Sequence, residues 1–263
     1  MKLKNVLLVY TSPAAEEYKT TLDTVKKAVE KLNINCRLAG RDRLKKHLFE
    51  NRDLIIAVGG DGTFLRAAQF VKNQIMFGVN ADTKNKEGFF MSADKKDFAS
   101  KLRKITAGKF RIKKFPRLEA RINNKKIETL ALNEFFIGPR KSYHSAKYVI
   151  RLGGKNERQK SSGILVTTPA GSYAWARSCT GRNLNMNSKN FQFAAREPYE
   201  GKVFRNYKLT YGILRPGQKI IINSEMLDGI LIADSVGKEH GLKNGSTASV
   251  GMAKESLNVA WFK

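Results

Sequence analysis

Residues 54–71 constrain the fold of this chain more than any other stretch. An apolar run over 54–58 leads straight into Gly59-Gly60-Asp61-Gly62-Thr63, and apolar residues at helical spacing follow over 63–71. Such a run fits a buried strand, and the glycines after it allow a tight turn and close approach of a ligand to the main chain. A helix starting just beyond the turn aims unpaired N–H groups at an anion. An acid inside a phosphate cradle is costly unless it binds a metal or handles a proton. The segment therefore reads as a phosphate site with its own chemistry, the alternative being an ordinary strand-to-helix turn. The glycine spacing is that of neither the dinucleotide-binding fingerprint nor the Walker A loop, and no Gly-Lys-Ser/Thr follows.

The flanking sequence sets this segment in an α/β domain. An apolar run over 5–10 ends in Thr11-Ser12-Pro13, where Ser12 fits an N-cap and Pro13 a first helical position. Leu22, Val25, Ala28, Val29 and Leu32 then recur at helical spacing. Residues 36–38 read as a short strand, 41–49 as a basic helix and 75–79 as another strand. Strands alternating with helices predict a parallel sheet, with ligands at the carboxyl ends of its strands. After about residue 105 the pattern alternates apolar with polar over 110–115, 118–122 and 127–132, with Asn123-Asn124 supplying a hairpin turn. Further strands are predicted over 148–152, 163–167, 208–214, 219–222 and 230–232, and an exposed loop over 152–160. The expectation is an α/β domain over 1–104 and a mainly β, sandwich-like domain over 105–263. The last ~15 residues could pack back on the first domain.

Composition narrows the classes. Hydrophobic residues make up 41% of 263, enough for a core, and no apolar run approaches the roughly 18 residues of a membrane span. Lys2 and Lys4 precede an apolar run over 6–9 that is too short for a signal peptide. Cys36 and Cys179 suggest no disulfide framework, and His47, His144 and His240 are too scattered for a histidine-built metal site. A soluble, cytoplasmic protein without membrane attachment is expected. The chain carries 49 Lys+Arg against 23 Asp+Glu, a net charge of +26, which favours polyanionic partners. The excess is spread along the chain, and runs such as Lys101-Leu102-Arg103-Lys104 are interleaved with apolar residues, as on solvated faces. No specific nucleic-acid surface is predicted.

Two more segments carry polar groups where the pattern is otherwise apolar. In Leu132-Asn133-Glu134-Phe135-Phe136 one polar side chain must face inward if the strand is half-buried, and a buried acid needs a partner. A strand end open to water is the other reading. Residues 161–175, Ser-Ser-Gly-Ile-Leu-Val-Thr-Thr-Pro-Ala-Gly-Ser-Tyr-Ala-Trp, run from a strand into a helix beginning near Ser172. Hydroxyls and free amides there can take a phosphate or ribose, and Tyr173 and Trp175 can flank a flat ring. A strand-to-helix corner with a core aromatic is the alternative.

Taken in order, these segments resemble the NAD kinase family. Its Gly-Gly-Asp-Gly-Thr hallmark stands at 59–63, its Asn-Glu motif at Asn133-Glu134, and its Thr-Pro-Thr-Gly-Ser-x-Ala-Tyr segment at 168–175. Gly78-Val79-Asn80-Ala81-Asp82, Trp175, Ser161-Ser162-Gly163 and Arg196-Glu197-Pro198 look more like the mitochondrial-type branch. The resemblance implies an α/β domain followed by a β-sandwich-like domain, with an active site between them, and phosphoryl transfer to the 2′-hydroxyl of the adenosine ribose of NAD. It implies that Gly59, Gly60, Gly62 and Thr63 bind the donor's phosphates and that Asp61 activates the hydroxyl. It implies NAD contacts from Asn133, Glu134, Ser162, Thr168, Tyr173, Ala174, Trp175 and Asp234. Mg²⁺ or another divalent cation is expected with the donor, ATP or polyphosphate, with no metal site built from side chains, and a homo-oligomer, a dimer foremost. The family's late Asp-Gly-Gln is reduced here to Asp234-Ser235-Val236, and Ser162 stands where many members carry an aspartate. Diacylglycerol and sphingosine kinases share the glycine motif, so a lipid kinase is one alternative. A non-catalytic nucleotide- or nucleic-acid-binding protein is another.

Overall fold

The computed structural model describes residues 3–11 and 16–262. The chain forms two compact units, 1–115 with 257–263, and 116–256. The first contains β1 (Asn5–Tyr10), α1 (Glu16–Glu30), β2 (Asn35–Gly40), β3 (Leu54–Gly59), α2 (Asp61–Ala68), β4 (Ile75–Asn80), β5 (Ala93–Asp94), α3 (Phe98–Thr106) and β6 (Arg111–Phe115). The second contains β7 (Leu118–Ile122), β8 (Lys125–Lys126), β9 (Glu134–Pro139), β10 (Ala146–Leu152), β11 (Lys155–Ser161), β12 (Ile164–Thr167) and α4 (Trp175–Thr180). It continues through β13 (Phe191–Ala195), β14 (Tyr211–Leu214), β15 (Lys219–Ser224), β16 (Gly229–Ala233), β17 (His240–Gly241) and β18 (Thr247–Met252). The chain then returns to the first unit as β19 (Leu257–Trp261).

The sheet of the first unit runs β2-β1-β3-β4-β19-β6, with β5 beside β4. Its pairings are parallel except β19 with β6. Every residue of β3 is buried, as expected of a central strand covered on both faces. Val25 and Val29 of α1 and Phe98, Leu102 and Ile105 of α3 pack with Leu8, Leu54, Ile56 and Phe77 of the sheet. Strand β6, read from sequence as opening the β-rich half, closes this first sheet.

The second unit is built from two antiparallel six-stranded sheets, β11-β10-β15-β18-β7-β8 and β14-β13-β12-β9-β16-β17. Alternate residues of both share one core: Tyr148, Ile150, Ile220, Ile222 and Val250 from one sheet, and Phe135, Ile137, Ile164, Val166, Phe191 and Phe193 from the other. That is a β-sandwich, the fold class predicted. On the other face of the second sheet Phe136, Leu165 and Ile230 pack with Ala176 of α4.

Several local expectations differ from the structure. Residues 41–49 form two 3₁₀ turns, Arg41–Arg43 and Lys46–Phe49, separated by extended backbone at Leu44 and Lys45. Leu48 and Phe49 are their only buried residues, too few to dock an amphipathic helix. The predicted loop 152–160 is a hairpin turning on Gly153 (φ 56°) and Gly154 (φ 79°) into β11, whose polar sequence suits its place at a sheet edge. Residues 127–132 form no ladder beyond a bridge between Leu118 and Ala131. Ser12 and Pro13 lie outside the described residues. Among the described residues no helix is long and apolar enough to cross a membrane.

Candidate functional site

In the first unit β3 delivers Gly59 and Gly60 to the carboxyl edge of the sheet, and α2 starts at once with Asp61. Gly60 is the N-cap, and its carbonyl accepts the N–H of Thr63 at 2.9 Å. A Cβ at Gly59 would lie 2.5 Å from Thr63 Oγ1, so glycine there lets the helix close back on the strand. Thr63 is 1% exposed and its hydroxyl has no hydrogen-bond partner. The Asp61 carboxylate is fixed: Oδ2 accepts the N–H of Phe89 at 3.0 Å and Oδ1 that of Phe90 at 2.9 Å. Asn80, at the end of β4, holds the loop leading there, its amide donating to Lys86 O at 3.1 Å. The glycine motif thus forms a turn with amides at a helix start and one oriented, part-exposed carboxylate. Such a turn can take phosphate oxygens and a proton.

In the second unit the chemistry gathers at the end of the second sheet, where β9 begins and β12 and β16 finish. Asp234 is 3% exposed, and its carboxylate accepts the N–H groups of Leu132 (3.0 Å), Asn133 (2.6 Å) and Glu134 (3.2 Å). Asp234 and Ser235 both have left-handed backbone, φ 53° and 54°, which is costly for non-glycine residues. Burial pushes Asp234 up to about 6, against the pull of those three N–H groups and of the Arg117 charge. Glu134 is 3% exposed. Burial and then the neighbouring Asp234 push it up to about 8, opposed by the Ser235 hydroxyl. Glu134 Oε2 and Asn133 Oδ1 are buried without a partner, so both polar side chains of the motif hold bonding capacity in reserve. The unusual value at Glu134 marks a functional-site candidate.

Thr168 fastens the neighbouring turn to this segment. Its hydroxyl donates to Leu132 O at 2.7 Å and accepts the Gly171 N–H at 3.0 Å, while its own N–H donates to Asn133 O at 2.9 Å. Gly171 is required by contact, because a Cβ there would lie 2.0 Å from Asn133 O. Tyr173 is 37% exposed, and Ala174, at φ −98° and ψ −131°, joins it to α4. Trp175 is already engaged: its ring stacks on Phe136 at 5.3 Å and carries the Arg196 guanidinium at 4.4 Å. The structure brings Asn133, Glu134, Thr168 and Asp234 together but not Ser162. Ser162 precedes the opposite end of β12, about 16 Å from Thr167 along extended chain, where its hydroxyl donates to Glu197.

Three contributions were missed from sequence: the Phe89 and Phe90 amides that hold Asp61, the Arg196 partner of Trp175, and two buried polar side chains beside Glu134. Thr167 pairs with Glu134 across β12 and β9, and Gln192 pairs with Thr167 across β13. Both are fully buried with an unpartnered atom. A polar residue inside Phe191-Gln192-Phe193 was the one visible signal. No group of three or more His, Cys, Asp or Glu able to hold a metal occurs among the described residues.

A family model for the ATP-NAD kinase N-terminal domain matches residues 5–110, which include the whole glycine motif. A probable NADH kinase of Oryza sativa subsp. japonica is 24% identical over 275 residues, covering 96% of this chain and 84% of that protein. The NAD kinase of Thermoplasma volcanium is 26% identical over 215 residues, covering 80% and 74%. The chain is thus similar to NAD and NADH kinases along nearly its whole length. The NAD kinase fold extends through both units: the crystal structure of an NAD kinase from Archaeoglobus fulgidus in complex with ATP matches with a TM-score of 0.78 at 24% identity. That match covers 98% of this chain and 93% of the archaeal one.

Proposed function

We propose that the protein is a phosphotransferase that makes NADP, moving a terminal phosphoryl group from ATP or inorganic polyphosphate to the 2′-hydroxyl of the adenosine ribose of NAD. The observation that carries this reading is Asp61, held by two backbone amides beside an anion-binding turn in a chain similar to NAD kinases. Gly59, Gly60, Gly62 and Thr63 receive the donor's phosphates at the start of α2. Asp61 accepts the proton of the attacking hydroxyl, a step that needs a base within hydrogen-bond reach. Most of the acceleration in such a transfer comes from position and charge neutralisation. Mg²⁺ or another divalent cation belongs to the proposal, held by the donor's phosphates and neutralising their charge.

Asn133 and Glu134 hold the adenosine half of NAD through the atoms they leave unpartnered, and Tyr173, Ala174 and Trp175 border it. Thr168 and Asp234 act one step back, since their polar atoms are engaged with residues 132–134 and 171. Ser162 is assigned to NAD by motif alone. The archaeal structure with ATP favours a nucleotide donor, and the rice relative's name makes NADH a second acceptor to test. A cytoplasmic homodimer completes the proposal, as the family resemblance implies.

The test is NADP formation by the purified chain with Mg²⁺, crossing ATP and polyphosphate against NAD and NADH, with diacylglycerol and sphingosine as rival acceptors. NADP or NADPH formed with at least one donor is the expected result. Phosphorylated lipid without NADP from folded protein would replace this reading with the lipid-kinase one.

A further inference from the structure

The glycine motif at 59–63 contains one carboxylate and no cation, yet a phosphoryl donor brings several negative charges to it. Transfer is favoured by cations fixed on the phosphoryl oxygens. The residue placed to supply one is Lys86. A Cβ at Gly60 would lie 3.5 Å from Cγ and Cδ of Lys86 and 3.7 Å from its Cβ, so the lysine stem runs across the N-cap of α2. Its backbone is pinned on both sides. The Lys86 N–H donates to Asp82 O at 3.0 Å, and its carbonyl accepts the Asn80 amide at 3.1 Å. Asn80 Oδ1 in turn accepts the Asp82 N–H at 3.0 Å, tying the loop to the last residue of β4. Lys86 is exposed and forms no ion pair among the described residues. The fully buried Thr63 hydroxyl, also without a partner, lies against Gly59 in the same turn.

We propose that Lys86 is a donor-binding residue whose ammonium takes the terminal phosphate oxygens of the donor. The ligand chemistry is a linear polyphosphate chain, whether the triphosphate of a nucleotide or inorganic polyphosphate. This rests on the phosphotransferase reading above, and Lys86 lies in none of the motifs that carried that reading. A charge-assisted hydrogen bond of this kind corresponds to roughly a tenfold or larger change in affinity.

The test is calorimetric titration of the full chain with Mg-ATP, Mg-tripolyphosphate and NAD, for wild type, Lys86→Gln, Lys86→Arg and Lys84→Gln. Lys84 is an exposed lysine of the same loop and controls for general surface charge. Lys86→Gln is expected to weaken the bound polyphosphate about tenfold, leave NAD binding and Tm unchanged, and raise the donor's KM more than it lowers kcat. Lys86→Arg should retain most of the affinity. A loss with Mg-ATP alone, tripolyphosphate failing to bind wild type, would support the assignment and name a nucleotide as the source. Loss on both probes supports it for either source. Wild-type affinity in Lys86→Gln, or an equal loss in Lys84→Gln, overturns it while the activity reading stands. Wild type that neither binds polyphosphates nor forms NADP overturns that reading instead.

Discussion

The two carboxylate centres are built on opposite principles. Asp61 sits part-exposed at a helix start, held by two amides of one loop 28 and 29 residues away. Asp234 and Glu134 are buried at a sheet end, and Asp234 reaches back about a hundred residues to bind three consecutive amides. An oriented acid near solvent can pass a proton on. Glu134, buried beside another acid, keeps its own, because desolvation and like charge both disfavour its ionisation. One carboxylate is therefore suited to chemistry and the other pair to shaping and holding, which is the division of labour proposed for the two units.

The largest expected effect comes from Asp61→Asn, which keeps the shape but removes the base. The kcat for NADP formation should fall by about 10²–10⁴ while NAD binding, read by calorimetry, persists. A mutant with near wild-type kcat would break the contrast at its chemical end. Next is Asp234→Ala, which leaves three buried N–H groups without their acceptor. A loss of about 3–5 kcal/mol is expected from urea unfolding, and a neutral result would mean the clamp is decorative.

The pH dependence sharpens the same contrast. Glu134 is raised from 4.5 to about 8 by burial, so the folded state keeps a proton that the unfolded chain has already lost. Its contribution is complete below about pH 4.5 and declines as pH rises through 8. Asp234, raised from 3.8 to about 6, acts in the same direction over a lower window. Glu134→Gln should flatten the upper part of the profile and be the more stable protein at pH 8–9, by about 2–4 kcal/mol. Parallel Tm-against-pH curves for the two proteins would show that Glu134 ionises freely. The smallest effect is expected at Ser162→Ala: with its strand end about 16 Å from Thr167, NAD affinity should change less than about threefold. A loss beyond tenfold would mean that Ser162 serves a site other than that of its own chain.

The first centre was legible because its parts are contiguous. A buried run, a glycine turn and an acid at one strand end are a local pattern, and β3, α2 and the carboxyl edge follow from it. The second was legible only as fragments. Asn133-Glu134 stood out as polar residues in an apolar strand, but that Asp234 grips their backbone depends on β9 and β16 being neighbours, which no spacing reveals. Thr168 was read as a ligand hydroxyl, and the structure engages that hydroxyl with residue 132 and with the turn it starts, partners that no local pattern shows. β11 was read as a loop because an edge strand needs little apolar sequence. The helix read over 41–49 failed for the converse reason, since basic residues alone give it no face to bury.

The most direct measurement is the position of the new phosphate, read by NMR on the product made from NAD by wild type and by Asp61→Asn under matched conditions. Phosphate on the 2′-oxygen of the adenosine ribose is expected with wild type, and at most about one hundredth as much product from a folded, NAD-binding Asp61→Asn protein. Phosphate at any other oxygen, or the same product at a similar rate from the mutant, would contradict that expectation.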